Sequence, residues 1–379
     1  MPVTDTVVVG AGPAGLAVAA CLRRHGVDPV LLERGRAVGE SWRRHYRRLH
    51  LHTVKELSAL PGLPFPPDAA RYPSREQMMS YLERYAEHHG LAPRLGVEVH
   101  RLRPLSVDDG RARWSLTTSD GDWTCRRVVV ASGYNAEPIR PTWPGETSWS
   151  GTLEHSSAYL TGETWRGRRV LVVGAGNSGA EIALDLCEHG ATTALSVRGR
   201  QHVIPRDFLG IPSQKGSVRM RRLPLPLRDA IASAISRLAF GDLGRYGLRR
   251  PEIGPITRLL RDGRVPLLDV GTVARIRSGA IRVVPGIERF DAENVVFTDG
   301  LRLPFDHVVL ATGFRPGLDR WIEAVDGALD ERGRPRPGNG RVAPGLWVIG
   351  FENDPGGILR RIAIEAPRLA EAIAGEDEQ

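Results

Sequence analysis

Cysteine is scarce in this chain. Three occur, Cys21, Cys125 and Cys187, and none stands at C-x-x-C or C-x4-C spacing. That excludes a disulfide framework and a dithiol redox centre, and it fits a reducing compartment. No apolar run reaches the ~18 residues of a membrane span. The N-terminus enters a strand directly, with no basic leader and cleavage site before it. The expectation is a cytoplasmic protein without an integral membrane segment. The eleven histidines show no H-E-x-x-H or related spacing, so no metal site is expected. Basic residues exceed acidic ones, 52 against 44, for a net charge of +8. The excess lies in arginine runs such as Arg43-Arg44 and Arg221-Arg222. No RNP aromatics, zinc-finger spacing or long basic tail accompanies them, so nucleic acid is not an expected partner.

What the chain does have is glycine, 43 residues of it in 379, and one pattern written twice. A length of 379 exceeds a single ordinary core and predicts two domains, or one domain with an insert. Residues 6–33 read as strand, glycine turn, helix and second strand. The turn holds Gly10, Ala11, Gly12, Pro13, Ala14 and Gly15. Gly10 permits the bend, Gly12 lets backbone amides approach a pyrophosphate, and Gly15 lets helix and strand pack closely. The helix presents its positive end to the phosphates. Glu33 ends the second strand, where a carboxylate accepts ribose hydroxyls, and Arg34 follows it. Residues 170–197 repeat the grammar with Gly174, Ala175, Gly176, Asn177, Ser178 and Gly179. Here the second strand leads to Arg198 in place of an acid. A guanidinium suits a 2′-phosphate, whereas a carboxylate repels one. A solvated surface arginine is the plain alternative. Two cradles of differing preference imply hydride transfer between two dinucleotides, with NADPH as donor and FAD as acceptor.

The fold class expected is α/β, with two Rossmann-like dinucleotide-binding domains and the NADPH domain inserted into a discontinuous FAD domain. Strands at 126–133, 307–314 and 345–351 would complete the first sheet. This places a first FAD segment at 1–160, the NADPH domain at 161–306 and an FAD return segment at 307–379. The Pro-rich stretch 137–145 is the outbound linker. Gly356-Gly357 precede a helix from about Ile358 to Ala374. They form either a plain connection or a helix N-terminus aimed at the flavin ring. Within the NADPH domain, the helical insert 213–254 is basic and amphipathic. It lies on a membrane, lines a substrate entrance or covers the core.

Further residues carry a family likeness. WSGTLEHSSAY places Trp149, Gly151, His155 and Tyr159 in the aromatic-x-Gly-x3-His-x3-aromatic fingerprint of class B flavin-containing monooxygenases. SYLERYA (80–86), SGYNAEP (132–138), RYGLRRPEIGP (245–255), VPLLDVG (265–271) and ATGF (311–314) follow in order. The chain resembles that family over almost its whole length, and within it the YUCCA-type (indole-3-pyruvate) enzymes. The resemblance implies an FAD- and NADPH-dependent monooxygenase. Such an enzyme forms a C4a-(hydro)peroxyflavin from O2 and inserts one oxygen atom into a small organic substrate. For this branch that means oxidative decarboxylation of an aryl 2-oxo acid. It implies that Ser41 and Trp42 lie beside FAD. It places Leu51 and His52 where many relatives carry Thr and a peroxyflavin-steadying Asn, so His52 is the catalytic candidate. N- or S-oxygenation of an amine or thioether is the alternative chemistry. An NADPH-dependent flavoprotein reductase serving a protein partner is the alternative class. Oligomeric state leaves no mark in the sequence.

Overall fold

The computed structural model describes residues 3–105, 113–323, 327–331, 333–336, 338 and 340–377. The apolar run at the N-terminus forms a strand, Val3–Val9 (β1), followed by the helix Pro13–Arg24 (α1). Proline at the first helical position has no amide to lose and presets φ for the turn. The chain continues through Val30–Glu33 (β2), the helix Arg75–His88 (α2) and the strands Arg94–Leu95 (β3), Val99–Pro104 (β4), Trp114–Thr118 (β5) and Gly121–Val130 (β6). Ser74 begins α2 with a reciprocal capping box to Gln77.

A second parallel sheet follows. Its strands are Thr152–His155 (β7), Arg169–Val173 (β8), Thr192–Ser196 (β9), Ile281–Val284 (β10) and His307–Leu310 (β11), hydrogen-bonded in the order β10-β9-β8-β11-β7 and parallel throughout. The helix Asn177–Glu188 (α3) joins β8 to β9. The basic insert 213–254 holds a short helix, Ser213–Arg219, and a longer one, Leu225–Phe240 (α4), and the helix Pro255–Asp262 (α5) follows directly after it. Parallel strands covered on both faces need apolar residues at every position. Accordingly Val170, Leu171 and Val172 are all fully buried.

The chain then returns to the first sheet with Arg341–Ala343 (β12), Leu346–Val348 (β13) and the helix Ile358–Ala374 (α6). That sheet runs β12-β13-β6-β1-β2-β3, with β5 paired to the first half of β6 and β4 paired in turn to β5. Two compact units result. The first holds residues 1–43, 53–137 and 314–379, and the second 44–52 and 138–313. Each is a Rossmann-like α/β unit, and the second is inserted into the first. Among the described residues, no helix is long and apolar enough to cross a membrane.

The boundaries correct the sequence reading in three places. Residues 138–160 belong to the second unit, because β7 pairs with β11. Residues 307–313 do too, since β11 lies between β7 and β8 and is no part of the first sheet. Residues 44–52 join the second unit although they lie far upstream in sequence. Tyr46 sits in that unit's core at 3% exposure, and Arg47 N–H donates to the Leu160 carbonyl.

Candidate functional site

The two glycine turns are near copies in space as well as in sequence. Gly10 has φ of +110° and Gly174 +109°. A Cβ on Gly10 would lie 2.6 Å from the Ala131 carbonyl oxygen, and on Gly174 2.5 Å from that of Ala311. A Cβ on Gly15 would fall 1.8 Å from the Gly10 oxygen, and on Gly179 1.8 Å from the Gly174 oxygen. These glycines are demanded by the protein itself. Gly12 and Gly176 differ: nothing lies within 4 Å of a Cβ on either. Each thus leaves open space beside the N-terminus of its helix. Neither helix carries an acid in its first turn, so the orphan amides there face no competing carboxylate.

Around the first turn, Glu33 is buried at 9% exposure. Its Oε2 accepts from Ala11 N–H at 2.8 Å and its Oε1 from Gly35 N–H at 2.7 Å. The sequence reading placed Ala11 and Glu33 among the cofactor-binding residues, with Glu33 toward ribose. In the structure the Ala11 amide donates to Glu33, and the carboxylate ties the turn to the end of β2. Glu33 and exposed Arg34 still line a cavity of about 320 Å³ with Gly10, Val97 and Ser132. Pro13 opens α1, and Ala14 packs beneath it at 6% exposure. Ser41 and Trp42 sit on the short helix Glu40–Arg43 of this unit.

Around the second turn, the Asn177 side chain is also occupied. Its Oδ1 accepts from Leu268 N–H at 2.7 Å and its Nδ2 donates to the Pro266 carbonyl at 3.3 Å. Both ends of the side chain are thereby anchored to the backbone at 266–268. Ala175 is buried, whereas Gly176 and Ser178 are exposed. Arg198 is exposed and has no carboxylate partner among the described residues, whereas Arg200 pairs with Glu252 at 2.8 Å. Of the two arginines after β9, Arg198 is the one free to meet an anion.

His52 is brought to α3, the helix that begins at the second turn. Its Nε2–H donates to Glu181 Oε1 at 2.5 Å, and its Nδ1 is buried without a hydrogen-bond partner. Glu181 is 3% exposed. The Tyr46 hydroxyl lies against Glu181 and Ser178, and burial, then the Glu181 carboxylate, hold that phenol well above its ordinary value. With Nε2 committed to Glu181, Nδ1 is the ring atom left to meet a ligand. Donation from Nδ1 requires the protonated ring. Leu51 beside it is buried at 7% exposure. Sequence reasoning missed Glu181 and Tyr46. The available signal was an acid inside the apolar face of a helix, in AEIALDLC.

The fingerprint has a structural account. The Trp149 ring folds over Gly151, where a Cβ would meet it at 2.3 Å. His155 Nδ1 accepts from Ser157 N–H at 3.1 Å, and its Nε2–H donates to the Gly313 carbonyl at 3.2 Å. Tyr159 Oη donates to buried Asp185 Oδ2 at 2.7 Å. VPLLDVG places Asp269 to accept from Val273 N–H at 2.9 Å, which satisfies an amide in the first turn of the short helix Thr272–Arg277. These segments hold the second unit together.

Residues 7–207 match the family model described as pyridine nucleotide-disulphide oxidoreductase. An indole-3-pyruvate monooxygenase, YUCCA1 of Oryza sativa subsp. japonica, is 41% identical over 355 residues, covering 92% of this chain and 87% of that protein. A probable indole-3-pyruvate monooxygenase, YUCCA7 of Arabidopsis thaliana, is 40% identical over 361 residues, covering 92% and 83%. This chain belongs to the YUCCA-type flavin monooxygenases, within the pyridine nucleotide-disulphide oxidoreductases. The fold agrees: a flavin-containing monooxygenase from Stenotrophomonas maltophilia superposes with a TM-score of 0.73 at 24% identity, covering 100% of both chains. As a YUCCA-type protein it is a flavin-dependent monooxygenase that uses FAD and NADPH. The three thiols fit that branch of the broad family better than its disulfide-exchanging members. All are free, and burial raises each, Cys125 to about 12. Reactive exchange needs a lowered one.

Proposed function

We propose that this YUCCA-type monooxygenase oxidises an aryl 2-oxo acid such as indole-3-pyruvate with loss of carbon dioxide, in the cytoplasm. The carrying observation is the 41% identity to an indole-3-pyruvate monooxygenase across nearly the whole chain. FAD takes the first cradle, at Gly10, Gly12, Gly15 and the cavity beside Glu33 and Arg34, with Ser41 and Trp42 toward its ring. NADPH takes the second, at Gly174, Gly176 and Gly179, with Arg198 on the 2′-phosphate. The two bare glycines support this, each leaving room for a pyrophosphate. When bound, the pair supplies hydride and the activation of O2.

The remaining work belongs to the chain. The first-turn amides of α1 and α3 hold phosphate charge. Glu33 keeps the first turn in shape through two backbone amides. Glu181 fixes the ring orientation of His52 and directs Nδ1 away from itself. His52 thereby presents one defined ring atom, Nδ1, whose own burial limits water there.

The test is a substrate panel on the FAD-loaded enzyme. Indole-3-pyruvate, phenylpyruvate, a tertiary amine and a thioether are assayed for substrate-dependent NADPH oxidation and for product. The 2-oxo acids are expected to yield the corresponding acetic acids and carbon dioxide. Oxygenated product from the amine or thioether alone would remove the 2-oxo-acid assignment.

A further inference from the structure

The inserted helix α4 is buried on one side and apolar on the other. Its inward residues Ala232, Ser236 and Phe240 are buried. Asp229 turns toward α5, where it accepts from the amides of Ile256 and Thr257 at 2.7 and 3.2 Å. Half a turn around the helix, Leu227, Ala230, Ala234 and Leu238 follow one another at helical spacing and are all exposed. Leu238 is 76% exposed and Leu227 46%. A helix that merely covers a core carries polar residues on that outward side. Two more exposed apolar residues lie close by in sequence: Leu209, 86% exposed in the hairpin at 207–212, and Ile211, 49% exposed.

Charge concentrates in the same stretch. Residues 206–264 contain thirteen Arg and Lys against five Asp and Glu, a net +8. The other 320 residues carry 39 of each sign, so the whole excess of the protein sits in this stretch, which spans the insert and the residues flanking it. Exposed Arg219, Arg222 and Arg237 have no carboxylate partner among the described residues.

We propose that this face of the insert docks on an anionic lipid bilayer. The α4 stripe sinks among the outer acyl chains and the arginines meet headgroup phosphates, the arrangement of an interfacial helix. A second copy of the chain fits poorly, because it would bring one net-positive surface against another. A nucleic acid would engage the arginines and leave the leucines in water. The surface thus adds a location to the enzyme and takes no part in its chemistry.

Vesicle flotation of the full-length, FAD-loaded enzyme tests this. Wild type is expected to float with phosphatidylcholine vesicles containing about one-third phosphatidylserine, far less with pure phosphatidylcholine, and less at high salt. The pair Leu227→Ser and Leu238→Ser should lower partitioning at least ~10-fold. The triple change Arg219→Gln, Arg222→Gln and Arg237→Gln should lower it roughly 100-fold. Flavin content and melting temperature should stay at wild-type values in both, since these are surface changes. Failure of wild type to prefer the anionic vesicles overturns the proposal. So does a serine variant that floats like wild type, which would mean that charge alone is read. A wild-type dimer by light scattering, broken by the serine pair and indifferent to vesicles, would assign the face to a second copy and likewise overturn it.

Discussion

At the scale of single residues, the contact that carries a test is His52 with Glu181. His52 was singled out by the family resemblance alone, and its partner 129 residues away was not foreseen. An acid in AEIALDLC reads as one more helical polar residue until the 44–52 segment is seen to fold onto α3. Glu181→Gln keeps the volume and removes the charged acceptor. It should leave flavin content unchanged and divert a larger share of NADPH to hydrogen peroxide, measured as peroxide formed per NADPH consumed. His52→Ala should do the same, and the double variant should be little worse than either single, because the two act as one unit. Equal coupling in all variants would remove the pair from the reaction. Arg198 gives a second residue-scale prediction. Losing a charge-assisted contact costs ~1.5–3 kcal/mol, about 10–150-fold. Arg198→Ala should raise KM for NADPH by that factor and leave KM for NADH nearly unchanged. Arg200→Ala should be nearly silent, since its guanidinium already faces Glu252.

At the scale of elements, both strand–turn–helix–strand units were legible because their glycines, helix periods and lengths agree. Their division of labour is sharper in space. Gly15→Ala places a methyl 1.8 Å from the Gly10 oxygen and should lower the melting temperature of the protein, flavin bound or not. Gly12→Val meets no protein atom within 4 Å of its Cβ. It should fold, with wild-type far-UV circular dichroism, yet purify colourless. A yellow Gly12→Val protein would mean that the first turn does not carry FAD. The strand at 307–310 was misplaced for a physical reason. ASG at 131–133 and ATG at 311–313 serve the same purpose, each backing its own glycine turn with a carbonyl, so the same short sequence appears in both units. The α4 period was also visible, but a helix apolar on two sides does not announce which side faces inward.

At the scale of the whole molecule, several histidines set an acid limit. Burial lowers His89, His155 and His202 below their ordinary 6.5. Each folded site then binds fewer protons than the unfolded chain at mildly acid pH. Their contribution to stability is complete above about pH 6.5 and is lost as pH falls from there through the lowered folded values. The melting temperature should therefore drop between pH 7 and 5, and His155→Gln with His202→Gln should flatten that slope. An unchanged slope would show that these rings titrate as in the open chain.

The return of the chain to its first sheet governs how the protein is made. Strand β13 covers the edge of β6 at Val128–Val130, and it is residues 346–348 that do so. Residues 138–313, by contrast, are continuous and find their outlying piece, 44–52, already synthesised. On the ribosome the inserted unit can close while the enclosing one still waits for its last sixty or so residues. Until then Val128–Val130 present an open, apolar strand edge, the kind that captures other chains. Transcripts truncated just after 313 should thus yield a folded inner unit attached to an aggregation-prone outer one.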